Sequence, residues 1–428
     1  MIFKTEQNLG ASGDACVIHN GQKYYVPYLL PHEEFSADFN SDIDTETQKH
    51  PFNNIQITTP SPLRINAVCS HFTKCGGCNF QHFSPDFYRD YKINHFINSF
   101  KYMGYDNPID GVFFCDAQTR RRTTISLYRS AEKFVWGYKM TASKMIIQPD
   151  MCHIVTPELN DYIGVLCPIM EHYIPRDVQV KIHITHADNG FDCVVRGAKK
   201  LSTKDLEHFL SKIQKHAPQT IRIIWDYNKN SDTIYHTDTP YVWFQNYKVN
   251  LAPEMFLQPS IQGQNVLWSI IEPHLQKISK KKGKKTRIAD LFTGAGTFSL
   301  PMTTYGHVDG FDNAGGALSS LRHAVKEYGL TDKLNPIARD LFRDPVSKLE
   351  LGVYDIVVAD PPRQGMMANA QILGNSTVKN IIMIFCDIQT ALRDIKILCD
   401  AGYKISHLYM IDQFTFTPHT EGVVVLHK

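Results

Sequence analysis

At 428 residues the chain has room for two to four domains. It is 43% hydrophobic and 21% charged, an ordinary globular balance, and its net charge of +2 excludes a chain-wide basic footprint, so any nucleic-acid contact falls to a local patch. No apolar run is long enough to span a bilayer, and residues 1–10, with Lys4, Glu6 and Gln7, lack a signal-peptide core; the expectation is a cytoplasmic chain, without membrane contact, whose ten cysteines are not a disulfide framework.

Residues 1–58 read as a small β domain. Val17-Ile18 and the runs 24–26 and 55–57 are β-rich and are punctuated by Gly10, Gly13-Asp14 and Asn20-Gly21. Asn-Gly between two such runs predicts a hairpin, because both residues accept the positive φ of a tight turn. The polar interval 36–50 reads as a loop or an edge. These residues alone fit a small barrel lying on RNA or a plain structural module equally.

Residues 59–110 carry the densest chemistry. Residues 69–78 read C-S-H-F-T-K-C-G-G-C, which crowds Cys69, Cys75 and Cys78 together ahead of a helix predicted over 86–102. Cys152, in P-D-M-C-H, would close the set from a distance. Thiolates at this spacing ligate a metal centre. Zinc sites usually bring two C-x2-C pairs, so one tight trio and a distant single favour an iron–sulfur cluster. Structural zinc and an unliganded cysteine cluster are the alternatives, with His71 and His153 as substitute ligands.

Residues 111–265 read as a central β-rich α+β region, with strands over 123–128, 133–138, 179–185, 190–195, 220–225 and 233–236. Arg120-Arg121-Arg122 opens the first strand, and Tyr128, Phe134, Trp136 and Tyr138 interleave with Arg129, Lys133, Lys139 and Lys144. Such a face suits phosphate neutralisation and base stacking; a solvated sheet over core aromatics is the alternative. Phe256-Leu257-Gln258 precedes a helix over 262–278, and the basic interval 280–287 reads as a linker.

From Ile288 strand and helix alternate: strands at 288–292, 308–311, 356–359, 381–385, 404–411 and 423–426, helices from Thr297 and over 315–328. This predicts a doubly wound α/β domain over 266–428, whose ligands bind at the carboxyl ends of the strands. The first turn reads D-L-F-T-G-A-G-T-F, and Asp312 ends the second strand where ribose hydroxyls are gripped. G-x-G without a third glycine favours a nucleoside-bearing cofactor such as S-adenosylmethionine over a dinucleotide. Asp360 opens D-P-P-R-Q-G; Arg363 stands where amine methyltransferases carry an aromatic residue, which argues against amine methylation. Cys386 ends the next strand, in I-I-M-I-F-C-D; beside a cofactor site it is read as a nucleophile, with inert packing as the alternative. Methylation of uracil C5 needs one: thiolate addition at C6 makes C5 carbanion-like. A base must then take the C5 proton, and Glu421, in T-P-H-T-E-G-V-V at the start of a terminal strand, could supply it; a solvated edge glutamate is the alternative.

Taken together and in order, the C-x5-C-G-G-C trio with its distant C-H, R-R-R, F-x-Q, D-L-F-x-G-x-G-x-F, D-P-P-R-x-G, the late cysteine followed by T-x-L-x-R-D, and T-P-H-x-E resemble the iron–sulfur-containing RNA (uracil-5-)-methyltransferases, in particular their 23S ribosomal RNA branch. The resemblance covers nearly the whole chain. It implies a Rossmann-like S-adenosylmethionine-dependent domain, with G-A-S-G-D-A and V-P-Y-L-L-P-H-E marking an N-terminal OB-like (TRAM) barrel over 1–58. It further implies Cys386 as nucleophile and Glu421 as base. Cys69, Cys75, Cys78 and Cys152 would hold a [4Fe–4S] cluster. Gln258, Phe292, Thr297, Asp312, Asp340 and Asp360 would surround S-adenosylmethionine and the target base, with Phe256 stacking nearby. The implied product is 5-methyluridine in ribosomal RNA; no protein partner is implied, and a monomer is the default expectation. A transfer-RNA uracil methyltransferase, from a branch that typically lacks the cysteine trio, and an iron–sulfur RNA-binding protein without catalysis are the rivals. Three positions depart from the family pattern: F-C-D-I around Cys386 where S-C-N-P is usual, Ser260 where asparagine follows F-x-Q, and Asp312 where glutamate is usual.

Overall fold

The computed structural model describes residues 1–40, 50–228, 230–282 and 286–428. β1 (Ile2–Leu9), β2 (Ala15–His19), β3 (Gln22–Val26), β4 (Glu34–Phe39) and β5 (Phe52–Thr59) form an antiparallel sheet in the order β3-β2-β1-β4-β5. Asn20 and Gly21, at φ of +50° and +76°, make the expected β2–β3 hairpin. The polar interval divides differently from the expectation. Phe35 and Ala37 of β4 are buried while Ser36 and Asp38 are not, so residues 36–39 belong to an internal strand between β1 and β5. Residues 41–49 lie outside the described residues. No ladder joins β3 to β5 among the described residues, so this region stands as a five-stranded sheet.

Next come α1 (Pro85–Lys101) and β6 (Gly111–Phe114), then the central sheet. Its elements are β7 (Arg122–Arg129), β8 (Phe134–Lys139), β9 (Ile146–Ile147), α2 (Pro157–Met170), β10 (Gln179–Ala187), β11 (Gly190–Ala198), α3 (Thr203–His216), β12 (Thr220–Tyr227) and β13 (Asn230–His236). The strand order is β13-β12-β11-β10-β7-β8-β9. Leu159, Ile163 and Leu166 of α2 and Phe209 and Ile213 of α3 share one core with Ile125, Ile182 and Ile223. Phe134, Trp136 and Tyr138 also pack against this core, so these rings support the sheet from within.

β14 (Tyr241–Phe244) and β15 (Tyr247–Asn250) form a separate hairpin. The last sheet is built from α4 (Ile261–Lys282), β16 (Thr286–Leu291), α5 (Ser299–Met302), β17 (Gly306–Asp312), α6 (Gly315–Glu327), β18 (Leu334–Ala338), α7 (Lys348–Leu351), β19 (Ile356–Ala359), α8 (Met367–Gly374), β20 (Asn380–Phe385), α9 (Ile388–Asp400), β21 (Lys404–Asp412) and β22 (Glu421–His427). Its order is β18-β17-β16-β19-β20-β22-β21-β6, parallel through β20, with β22 antiparallel to both neighbours. The apolar run of β19 is buried on both faces, as a central parallel strand requires. Ile356 and Val358 join a core with Leu267 and Ile271 of α4, Leu318 of α6 and Val242 of the hairpin. Val357 and Ala359 join another with Phe96 and Phe100 of α1, Ala370 of α8 and Ile395 of α9.

Three details differ from the sequence reading. Gly111–Phe114, placed there in the central region, pairs in parallel with Tyr409–Asp412 and completes the edge of the last sheet. The helix after the glycine turn begins at Ser299, two residues late, because Gly294 and Gly296 keep φ of +55° and +88° and prolong the turn. Within the basic interval, Lys280 to Lys282 end α4 and Thr286 opens β16; residues 283–285 lie outside the described residues. Among the described residues no helix is long and apolar enough to cross a membrane.

Candidate active site

The strand order reverses between β16 and β19, which opens a crevice at the carboxyl ends of the strands. β16 turns sharply as it ends. Phe292 has φ of +65°, and a Cβ on Gly296 would overlap the Leu321 side chain. Asp312, at the end of β17, is tied to this turn: Gly294 N–H donates to its Oδ2 at 2.8 Å and Ala314 N–H to its Oδ1 at 2.7 Å. The carboxylate therefore stands fixed at the crevice, each oxygen with a further lone pair for a ligand hydroxyl.

A cavity of about 690 Å³ occupies this crevice. Gln258, Phe292, Thr297, Asp312, Asp360, Cys386 and Glu421 all line it, and Phe256 and Arg363 do too. Asp340 does not. Its Oδ1 accepts the N–H groups of Phe342 and Arg343 at 3.0 and 3.3 Å, so it shapes the turn after β18. Phe342 then reaches the cavity, 5.4 Å from Phe292 between ring centroids. Phe256 is 61% exposed and carries the Arg122 guanidinium over its ring at 4.5 Å.

The charged groups are buried. Glu421 and Asp360 are held well above the ordinary carboxylate range, first by burial, then by a neighbouring carboxylate: Asp360 for Glu421, Asp290 for Asp360. Burial chiefly pushes the Cys386 thiol up to about 12; the charges of Glu421, Asp360 and Asp387 add to this and Arg363 offsets part of it. Hydrogen bonds tie the group together. Gln258 Nε2 donates to Asp360 Oδ2 at 2.9 Å, and Gln413 Nε2 donates to Gln258 Oε1 at 3.1 Å and to Glu421 Oε2 at 2.8 Å.

Two of the departing residues keep a structural task. Ser260 Oγ accepts from Gly263 N–H at 2.9 Å at the start of α4, and Asp387 Oδ1 accepts from Thr390 N–H at 3.0 Å as the N-cap of α9. Phe385, beside Cys386, lies between α1 and β22: its ring stacks with Phe96 at 6.1 Å, and a Cβ on the facing Gly422 would overlap it.

Sequence reasoning gave no role to Asp290 or Gln413. Asp290 is 2% exposed, lines the cavity and accepts from Ser299 Oγ; burial drives its carboxyl up to about 7. Its signal was present in D-L-F before the turn. Gln413 leaves no such signal, because its partners lie apart from it in sequence.

A second cavity, of about 500 Å³, collects Cys69, Cys75, Cys78 and Cys152, although the last lies far along the chain from the other three. All four are partly exposed and free. The loop is anchored to β8 and its turn by Gly76 N–H on Lys139 O at 3.2 Å and Thr141 N–H on Lys74 O at 3.0 Å. Asn160 Oδ1 accepts from Cys152 N–H at 2.9 Å and its Nδ2 donates to Cys152 O at 2.8 Å. Burial raises the Cys78 thiol to about 12, and the other three cysteines act on it in the same direction. Among the described residues no three His, Cys, Asp or Glu side chains converge closely enough to hold a single metal ion as they stand. Arg120, Arg122, Glu254 and Met255 line both cavities and form their common wall.

Comparison with known proteins places this geometry. The family model for tRNA (uracil-5-)-methyltransferases matches residues 318–428. An uncharacterized RNA methyltransferase of Brucella suis is 30% identical over 427 residues, covering 99% of this chain and 97% of that protein. A 23S rRNA (uracil(1939)-C(5))-methyltransferase of Shewanella sediminis is 27% identical, covering 95% and 91%. The crystal structure of Pyrococcus abyssi tRNA (uracil-54, C5)-methyltransferase in complex with S-adenosyl-L-homocysteine shares the fold at a TM-score of 0.71 and 19% identity, covering 99% of both chains. The end-to-end relationship and the matching model together establish that the chain belongs to the RNA (uracil-5-)-methyltransferase family.

Proposed function

We propose that the protein transfers a methyl group from S-adenosylmethionine to C5 of a uridine in 23S ribosomal RNA. The observation that carries this reading is the meeting of Cys386 and Glu421 in one cavity with the glycine turn and Asp312. The turn and Asp312 would hold the nucleoside end of the donor, whose sulfonium supplies an electrophilic methyl group. The uridine must leave its stack to reach Cys386. Cys386 Sγ loses its proton to solvent and bonds to C6, and the electron pair of the C5=C6 bond moves to C5. C5 takes the methyl, releasing S-adenosylhomocysteine. Glu421 then removes the C5 proton, the double bond re-forms, and Cys386 leaves C6. Asp360 and Gln258 would orient the uracil edge, and Phe256 with Arg122 would receive a neighbouring base at the mouth.

Ribosomal RNA is favoured by the cysteine set and by the end-to-end likeness to the Shewanella protein. The cysteine cavity suits a [4Fe–4S] cluster held by Cys69, Cys75, Cys78 and Cys152. The four donors are all sulfur and line one cavity. We assign that group a structural task, and the N-terminal five-stranded sheet an RNA-binding, TRAM-like role.

The test is a 5-fluorouridine-substituted 23S rRNA fragment incubated with protein and S-adenosylmethionine. Fluorine blocks proton removal, so a denaturation-resistant adduct is expected with the wild type and not with Cys386→Ala. Absence of adduct with every fragment would leave the catalytic reading without support.

A further inference from the structure

We propose that Gln413 is the positioning residue of this site: its amide nitrogen, 3.1 Å from Gln258 Oε1 and 2.8 Å from Glu421 Oε2, sets at once the amide and the carboxylate that work on the uracil. The inference rests on the reading of Glu421 as base. Gln413 is 7% exposed and is not part of the cavity lining, so it acts through its two partners. Both of its N–H groups are used. Because Gln258 Oε1 accepts one of them, Gln258 Nε2 is left to face Asp360, and the Gln413 amide cannot flip without losing two hydrogen bonds.

The surroundings of this side chain hold it in place. A Cβ on Gly263 would overlap Gln413 Oε1 and would stand 3.0 Å from its Cδ. Gly263 lies in the first turn of α4, where alanine is the better helix former, so its value there is the room it leaves. That oxygen is itself buried without a partner among the described residues, which costs stability and fits a residue kept for what its nitrogen does. On the other side, Asp412 is anchored by a buried ion pair to Lys92, at 3.1 Å with both side chains 1% exposed, and by Tyr88 OH. The backbone that carries Gln413 is therefore bolted to α1.

The titratable groups facing Glu421 are Asp360 after β19, Cys386 after β20 and Cys115 after β6. All three oppose its ionisation when charged; the Gln413 hydrogen bond favours it. From α1, Lys92 Nζ reaches Thr420 Oγ1 at 3.3 Å, one residue before Glu421, but its charge is matched by Asp412. Removing the Gln413 bond makes Glu421 a poorer base at neutral pH.

The experiment uses full-length protein, S-adenosylmethionine and 23S rRNA transcript, and follows 5-methyluridine and the covalent protein–RNA adduct across pH. Gln413→Met keeps the volume and removes the donors. Its kcat is expected to fall about 10- to 100-fold with KM for the donor within about twofold, the adduct to accumulate, and the acid limb of kcat to move up by about one pH unit. Gly263→Ala, which displaces the same amide, is expected to do likewise, and adding it to Gln413→Ala should change nothing further. Wild-type adduct level and acid limb in both single variants, while Glu421→Gln loses turnover, overturn the inference and spare the base. Parallel loss of donor binding, adduct and product also overturns it, since that is a folding defect. Wild-type turnover by Glu421→Gln removes the base assignment and this inference with it.

Discussion

At the scale of single residues, the site is a set of buried ionisable groups whose charges oppose one another. Asp387 shows how one substitution trades cap for charge: it caps α9 as asparagine would, but adds a negative charge beside the thiol. Asp387→Asn should keep the hydrogen bond to Thr390 and lower the Cys386 pKa. A fall of about half a unit means about threefold more thiolate, read as faster alkylation of the Cys386 peptide by iodoacetamide at about pH 7. Glu421 gives a prediction of opposite kind. Its folded pKa lies above that of the unfolded chain, so the native state holds the proton more tightly, and ionising it costs stability as pH rises past the unfolded value. Glu421→Gln should therefore match the wild type in melting temperature near pH ~4 and exceed it increasingly toward pH ~8, while losing about 10²- to 10⁴-fold in turnover. That Cys386 and Glu421 share one crevice was legible in the sequence, because each ends or opens an apolar strand run at the carboxyl-end side of the sheet. Gln413 was not, because an amide between strands signals nothing until Gln258 and Glu421 are brought beside it.

At the scale of elements, apolar runs between turn residues were read best. The interval 356–359 emerged with the limits of β19, since I-V-V-A is bounded by charged residues and prolines. β18 was hidden by Asn335 and Pro336, and β6 by the distance along the chain to its partner β21. The aromatics of β8 were left open by the sequence, because spacing that suits stacking on bases suits packing on the central core equally; the structure packs them on the core. Where β20 meets β22, Phe385 and Gly422 form a matched pair. Gly422→Ala should cost about 1–3 kcal/mol by chemical denaturation, and Phe385→Ala in the same chain should relieve the overlap, giving a non-additive cycle. Because Glu421 precedes Gly422, the single variant should also lose activity beyond what its stability explains.

At the scale of the whole molecule, the four cysteines join two regions, three from the loop before α1 and one from the segment between β9 and α2. The proposed cluster, if held by them, would clasp those regions together. Protein purified without oxygen should contain about four iron and four sulfide per chain and lose its visible absorption on chelation. Cys152→Ser should lower the melting temperature of the iron-loaded protein and barely change that of the stripped one, because binding energy is folding energy only when the group is bound.

The catalytic sheet is closed by strands from distant parts of the chain. β6 needs β21, and Lys92 of α1 needs Asp412. During synthesis, therefore, α1 and β6 emerge long before the partners that satisfy them. A nascent chain halted ahead of residue 404 exposes an unpaired strand and lacks the carboxylate that lets Lys92 be buried. The last sheet therefore closes only once β21 and β22 have left the ribosome, whereas the N-terminal and central sheets have cores of their own.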